Sequence, residues 1–477
     1  MVLVPDATVT IQDAPPTPAT LNDTGTGFMI GLADRGPVTG QLKPEEAIHS
    51  LSEWIAKHGS LQSYNGNEYV SVEGFFADGG SRLFYSRYAG PSAVKASAAV
   101  PASSSKFTAT AKGPGAGYNT IKVGVASSVV TVKDGTTIVE VSPAMATIAD
   151  AQSWATNYSK YIDITPLTTG ALADSADVPL ASGADDRTNV TDTERQAAVN
   201  RFGRDLGPGQ IGAPGDTRTA MHTILATHAL TYERAAVGDC PDSATAATAA
   251  APGPVARALG RDLARHIRLL GDWVSVPGTS AGTTRMAPPS GIYMGLCARN
   301  DAERNPAHAV AGQRSYSRFA LGTHYQRSQT DLQTFADNGI IPFVVDGGLV
   351  QPMDDITPVD STIDEEWWAA SGNRMVMRIV WDARAIAKAY MWTPVAGNVD
   401  FVGYAGALSG MLSRWHVAGA LFGDSPAEAF RVETGPAINT PTTIAAKKLR
   451  AQLSLHLSQN VRNSDVLLTN TPLTEAL

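Results

Sequence analysis

Apolar and polar residues alternate most regularly near the end of the chain. Leu449, Ala451, Leu453, Leu455 and Leu457 interleave with Arg450, Gln452, Ser454, His456 and Ser458. A period of two is the pattern of a strand with one covered face. Asn460 to Asn463 suits a turn, and Val466-Leu-Leu-Thr469 suits a strand pairing behind it. Residues 121–141 carry the same period: Ile121, Val123 and Val125 alternate, and Val129–Val132 faces Ile138–Val141 across Asp134-Gly135. Asp-Gly between such runs predicts a hairpin, because the turn needs positive φ. A third short strand, Thr8-Val9-Thr10-Ile11, precedes a stretch with prolines at 15, 16 and 18. Prolines remove amide donors and favour extended backbone, so this end reads as a strand on a semi-rigid tether.

Elsewhere the period is helical. Pro44-Glu45-Glu46 predicts a helix start, with Ile48, Leu51 and Ile55 on its apolar face. Tyr69, Val72 and Phe76 mark a second helix that ends at Gly79-Gly80, and Arg82–Tyr88 returns as a strand after Gly27–Ala33. Asp216 can cap a helix reaching Tyr232, and Pro254 opens one carrying Val255, Leu259, Leu263, Ile267 and Leu270. Residues 331–337 form a short helix before the strand Ile340–Val345. Val376, Ile379, Val380, Ala383, Ala387 and Tyr390 mark one late helix; Tyr404, Leu408, Met411, Leu412 and Trp415 mark another. Ser97–Lys106 reads as an Ala/Ser linker and Ala244–Pro254 as a loop. Strands alternating with helices around a β insertion give an α/β multidomain class.

With 477 residues, 43% of them hydrophobic, the chain is long enough for several cores. The net charge of −8 and the lack of a Lys/Arg-dense segment argue against direct nucleic-acid binding. Arg257, Arg261, Arg265 and Arg268 read as one helix face. Cys240 and Cys297 are isolated, so neither a disulfide framework nor a zinc site is expected. No segment approaches the ~18–20 apolar residues of a membrane span, so no membrane insertion is expected.

Candidate chemistry is thin. Gly278-Thr-Ser280-Ala-Gly282 matches a nucleophile-elbow pattern, with Asp346 and His416 following, but Pro277 precedes it and no helix leaves it. A serine hydrolase at Ser280 is therefore a rival reading, alongside a capsid or adhesin component. Gly207-Pro-Gly-Gln-Ile-Gly212 matches a dinucleotide fingerprint without its strand-turn-helix setting. His222 and His228 are six apart and do not share the helix face a metal would use. Asp354, Asp355, Asp360 and Asp364–Glu366 form an acidic run without calcium-loop spacing. No catalytic, cofactor or metal residue is assigned, and no cofactor is expected.

Six segments in order resemble contractile tail sheath proteins: Gly31–Pro37, Glu73–Arg82, Pro114–Asn119, Leu180–Asp186, Ala287–Asp301 and Gly419–Phe430. Two features depart from the family pattern. Ser182-Gly183 stands for a glycine pair and Asp186 for a glycine, and Val350–Asp364 replaces a tryptophan-arginine segment. The resemblance implies a central subtilisin-like α/β domain without a catalytic triad, an inserted small β domain, and an α+β C-terminal domain with terminal strands exchanged between subunits. On that pattern the chain divides into a linker strand and tether (1–23), α/β core (24–92 and 179–365), inserted β domain (93–178), helical tube-facing domain (366–446) and C-terminal strands (447–477). The implied partners are further copies of itself in a helical array, an inner tail tube protein, and baseplate and tail terminator proteins. The implied location is the virion tail, assembled in the host cytoplasm. Val9, Ile11, Leu449, Ala451, Leu453, Leu455 and Leu457 are the candidates for pairing between subunits, and Trp392 and Trp415 for facing the tube.

Overall fold

The computed structural model describes residues 24–392 and 398–462. Short, wholly apolar runs without alternation suit strands covered on both faces. Seven strands, the last five of them wholly buried, form the central sheet in the order Leu349–Pro352, Ile340–Asp346, Ile267–Gly271, Ala235–Asp239, Gln210–Gly212, Gly27–Gly31, Leu83–Arg87. All neighbours are parallel except the first pair, an antiparallel hairpin turning at Gly347-Gly348. One face packs on a core that includes Phe28, Phe84, Phe202, Leu225 and Leu269. The other packs on Trp54, Phe75, Tyr85, Ile292 and Leu296. Phe28 stacks on Phe84 with centroids 5.5 Å apart and meets Phe202 edge-on at 5.4 Å.

A second core, from Ala96 to Leu180, lies in the β insertion. Here Lys95–Val100, Phe107–Pro114 and Ile162–Pro166 form one sheet. Thr137–Val141, Val129–Asp134, Ile121–Ala126 and Ser175–Pro179 form the other. The expected hairpin turns at Gly135, whose φ is +60°. The helix Ile148–Asn157, capped by Thr147, covers the insertion with Trp154 and Ala155.

Four local expectations are corrected. Residues 97–100 of the expected linker belong to the strand Lys95–Val100, because small side chains at 96 and 98 fit beneath Phe107 and its neighbours. The helix expected from Pro44 is a single 3-10 turn; the α-helix is Leu51–His58, whose first turn is capped by the Ser50 hydroxyl accepting from Glu53 N at 3.2 Å. Between them Ile48 bridges Leu83. The helix expected over 254–270 breaks at Gly260 into Pro252–Ala258 and Arg261–Ala264. Ile267 and Leu270 then belong to a central strand, and Arg268 is buried there rather than on a helix face. Part of the expected 244–254 loop is the helix Ala246–Ala249.

The insertion is bound to the central sheet through buried guanidinium groups. Arg87, at the end of its strand, donates to Ala33 O (2.7 Å), Gly36 O (3.1 Å) and Pro114 O (2.6 Å). Beside it Arg35 pairs with Asp134 at 2.5 Å and lies over the Tyr161 ring. Replacing Arg87 by Met keeps the bulk and removes every donor, leaving three carbonyls short of a partner. We expect Arg87→Met to lower the unfolding free energy by about 3–5 kcal/mol, read from urea melts. A change below about 1 kcal/mol would show that these carbonyls find other partners.

Candidate functional site: an open two-stranded sheet

The alternating segment forms the strand Gln452–Leu455, which pairs antiparallel with Phe430–Glu433 of the same chain. His456 N donates to Ala429 O at 2.9 Å, so even-numbered residues present their backbone groups to this partner. Phe422 N to His456 O (2.8 Å) and Ser458 N to Ala420 O (3.2 Å) continue that side. In an antiparallel ladder the odd-numbered N–H and C=O groups then point to the opposite edge. Among the described residues nothing pairs with Leu453 or Leu455 there. The sheet has one complete seam and one open edge.

Its apolar face lies on two helices, Ala370–Ala389 and Asn398–Val417. The core between them contains Met375, Ile379, Leu408, Met411 and Leu412. Leu449, Ala451, Leu453, Leu455 and Leu457 all pack against it, yet each remains half-buried. A two-stranded sheet covers too little to exclude water by itself; three or more strands on a helical layer normally do so. Trp392 lies 96% exposed at the end of the first helix with φ +68°. Trp415 is half-buried against the core, its indole donating to Asp382 at 3.0 Å. Val9, Ile11 and the 466–469 segment lie outside the described residues.

The carboxyl ends of parallel strands, where α/β folds usually place ligands, hold a polar cluster that the sequence motifs did not point to. Asp239, ending its strand, accepts from Ser290 Oγ (2.6 Å), Ser290 N (2.9 Å) and Gly215 N (2.8 Å). His222 Nε2 lies 3.1 Å from the Asp239 carbonyl. A serine, a histidine and an aspartate thus meet without forming a relay. The serine proton goes directly to the carboxylate, and Ser290 and Asp239 are wholly buried. That arrangement fixes the first turn of the helix Ser290–Glu303 and offers no exposed nucleophile. Nearby, Glu68 accepts from Leu32 N at 3.0 Å and Tyr85 donates to Leu32 O at 2.7 Å. Gly31 is required here: a Cβ would sit 2.3 Å from Glu68 Cγ. The sequence signals were faint: an aspartate ending the apolar run 235–239 and a serine after Pro288-Pro289.

The motifs set aside earlier are now placed. Ser280 is exposed in the turn between Val274–Pro277 and Thr284–Ala287. Residues 207–212 are a loop running into a strand, with no helix opening inside the fingerprint. His222 and His228 are both buried, and desolvation lowers their pKa to about 4 and about 3. The acidic run is split, with Asp355 buried against Ser371 N, Asp354 paired with Arg462, and Asp360 bonded to Thr362. No metal-binding group of His, Cys, Asp and Glu occurs among the described residues. No helix among them is long and apolar enough to cross a membrane.

No family model and no curated protein matches this sequence. Solved structures do. A sheath tail protein from Listeria innocua aligns over 87% of this chain and 90% of its own, with TM-score 0.61 and 14% identity. A sheath tail protein from Desulfitobacterium hafniense aligns over 90% and 93%, with TM-score 0.56 and 15% identity. The helical sheath of the anti-feeding prophage in its contracted state aligns over 99% and 100%, with TM-score 0.56 and 15% identity. The chain has the fold of contractile sheath proteins.

The buried carboxyls give this fold a pH dependence. Burial raises the Glu68 pKa from 4.5 to about 7 and that of Asp239 from 3.8 to about 6. These two carboxyls hold more protons in the folded state than in the unfolded chain across roughly pH 4–7, so their own contribution to stability falls as pH rises through that window, while the buried His58, His222 and His228, whose pKa values burial lowers, contribute in the opposite sense. Glu68→Gln removes one contribution. Between pH 4.5 and 8 the stability of the variant relative to the parent should rise by on the order of 2–3 kcal/mol in urea melts. Identical pH profiles would exclude Glu68 as the titrating group.

Proposed function

We propose that this chain is the subunit of a contractile sheath, a structural protein rather than an enzyme. Copies polymerise helically around an inner tube and repack from an extended to a contracted array, driving the tube through a target envelope. The observation that carries the reading is the open edge at Leu453 and Leu455 above a half-covered apolar face. A strand from a neighbour would satisfy the free backbone groups and complete the cover, which is β-augmentation. The segments 8–11 and 466–469, whose sequence patterns suit strands, are the natural donors, and each copy lends to one neighbour and receives from another. Such a heterologous contact does not close and therefore builds a helix. The whole-length likeness to sheath structures supports this, and the wholly buried Ser290 weighs against a protease built on the same α/β core.

In this reading residues 1–23 and those after 462 are linking arms, and residues 93–178 an outer insertion. The corner bearing Trp392 is the candidate tube-facing surface; Trp415 holds the corner from within. The partners are other copies, the inner tube protein, and baseplate and terminator proteins in a phage tail or related injection particle.

Electron microscopy of the purified chain at rising concentration tests the proposal. Striated tubes or stacked rings are expected from the full chain. Variants lacking residues 1–23 or 463–477 should fold, by circular dichroism, and stay dispersed. Truncation after Ala446 is unsuitable, because it removes Leu453 and Leu455 from their own core. Tubes formed equally well by both shortened variants would overturn strand exchange. A full chain that stays monomeric even with the tube protein would overturn the sheath reading itself.

A further inference from the structure

The helix Ala370–Ala389 begins at a buried junction. Residues 370–375 are all buried, and the Ala369 N-cap supplies no side-chain hydrogen bond. The free amides of the first turn are met from another loop instead: Ala370 N donates to Asp355 O at 3.0 Å and Ser371 N to Asp355 Oδ2 at 2.9 Å. Two further connections converge on this turn, and they come from opposite ends of the described chain.

The first runs from Thr24. Its hydroxyl donates to Asp301 Oδ2 at 2.6 Å, while Asp301 Oδ1 accepts from the Arg374 guanidinium. One carboxylate thus serves the two groups with its two oxygens, and Arg374 and Asp301 are each 3% exposed. The Thr24 carbonyl is held in turn by Gln210 Nε2 at 2.7 Å. The second runs from Asn460. Its amide donates to Ser371 Oγ at 3.0 Å and to Ala307 O at 2.9 Å, and Asn460 Oδ1 accepts from Ala309 N at 3.3 Å. Just beyond, Arg462 pairs with Asp354 and covers the Trp368 ring, 4.5 Å from its centroid. Ser371 and Arg374 are three residues apart, so they share one helical turn.

We infer that this turn is a coupling node: the root of the N-terminal arm at Thr24 and the root of the C-terminal arm at Asn460 are energetically linked through Ser371 and Arg374. Residues 436 positions apart in sequence are joined by a path of three side-chain contacts, Thr24–Asp301–Arg374 and Ser371–Asn460, closed by one helical turn. The centre of the path, Asp301, Arg374 and Ser371, is shielded from water, and there each contact orients its neighbour, so loosening one strut loosens the other. Under the sheath reading, a pull on one arm would be felt at the other within a single subunit. The inference itself concerns the isolated chain and stands or falls without assembly.

Hydrogen–deuterium exchange on the full chain, below the concentration at which it associates, tests the node. Asn460→Ala removes the C-terminal strut and leaves Arg374 and Asp301 intact. Exchange over residues 24–30 should rise on the order of 5-fold or more, and Thr24→Val should raise exchange over residues 456–462 in return. The control is Ser458→Ala, which loses a bond to Gly419 O outside the node. It should leave residues 24–30 unchanged. Purely local effects of Asn460→Ala and Thr24→Val would overturn the inference, as would an equal rise at residues 24–30 in the Ser458→Ala control. Arg374→Met is less informative, because stranding Asp301 in the interior can unfold the junction.

Discussion

Parallel strands buried on both faces end in loops whose carbonyl groups cannot reach water, and each needs a donor. This chain meets that demand with buried arginines. Arg87 serves Ala33, Gly36 and Pro114; Arg234 serves Phe202, Gly203 and Gly207; Arg201 serves Pro37 and Gly40; Arg268 serves His266 and Ala370. A guanidinium presents five donors in a planar fork, so one side chain can tie two or three distant loops together. The cost is a desolvated charge, lessened where an aromatic face is near: Arg234 stands 3.9 Å over the Phe28 ring. Through Arg87 the same device fixes the β insertion to the sheet, and through Arg268 it fixes the sheet to the start of the long helix.

What was legible in the sequence follows from which forces act locally. Period-two and period-3.6 stretches were readable because one face of each is covered and the other is wet; 129–141, 370–389 and 449–458 are of this kind. Lys95–Val100 was not, because its buried partners are alanines whose small size suits the packing while their composition resembles a linker. Residues 254–270 misled for a different reason. Val255, Leu259, Leu263, Ile267 and Leu270 keep helical spacing, yet Gly260 at φ +91° breaks the helix and the last two enter a strand covered on both faces. The sealed Asp239–Ser290 pair and the Asp301 junction join residues 51 and 73 or more positions apart, and no local pattern encodes them.

The two polar clusters show how one architecture can suppress chemistry and retain mechanics. At the carboxyl end of the sheet the serine, aspartate and histidine have the residue types of a hydrolase, but the serine hydroxyl donates its hydrogen bond to the aspartate rather than to the histidine, and Ser290 and Asp239 are wholly buried. Hydrogen bonds that might activate a nucleophile instead lock a helix start. At the head of the long helix the same logic brings together Thr24 and Asn460, close to the two ends of the described residues.

The C-terminal sheet is the reverse case. Other sheets in the described chain also have edge strands, Thr137–Val141 among them, but this sheet has only two strands and keeps a free edge beside leucines that are half wet. A free, alternating, uncharged edge invites pairing, and natural proteins usually blunt such edges with prolines, bulges or inward charge. Between Leu449 and Leu457 none of those devices occurs; the charged residue is Arg450, at the outset. Leaving the edge unprotected costs solubility in a lone subunit and is favoured only if a partner strand arrives reliably. Under the sheath proposal, a strand carried on the next identical copy would meet that condition at any concentration at which the subunit assembles, and the unfinished edge of one chain would be the complement of the terminal arm of another.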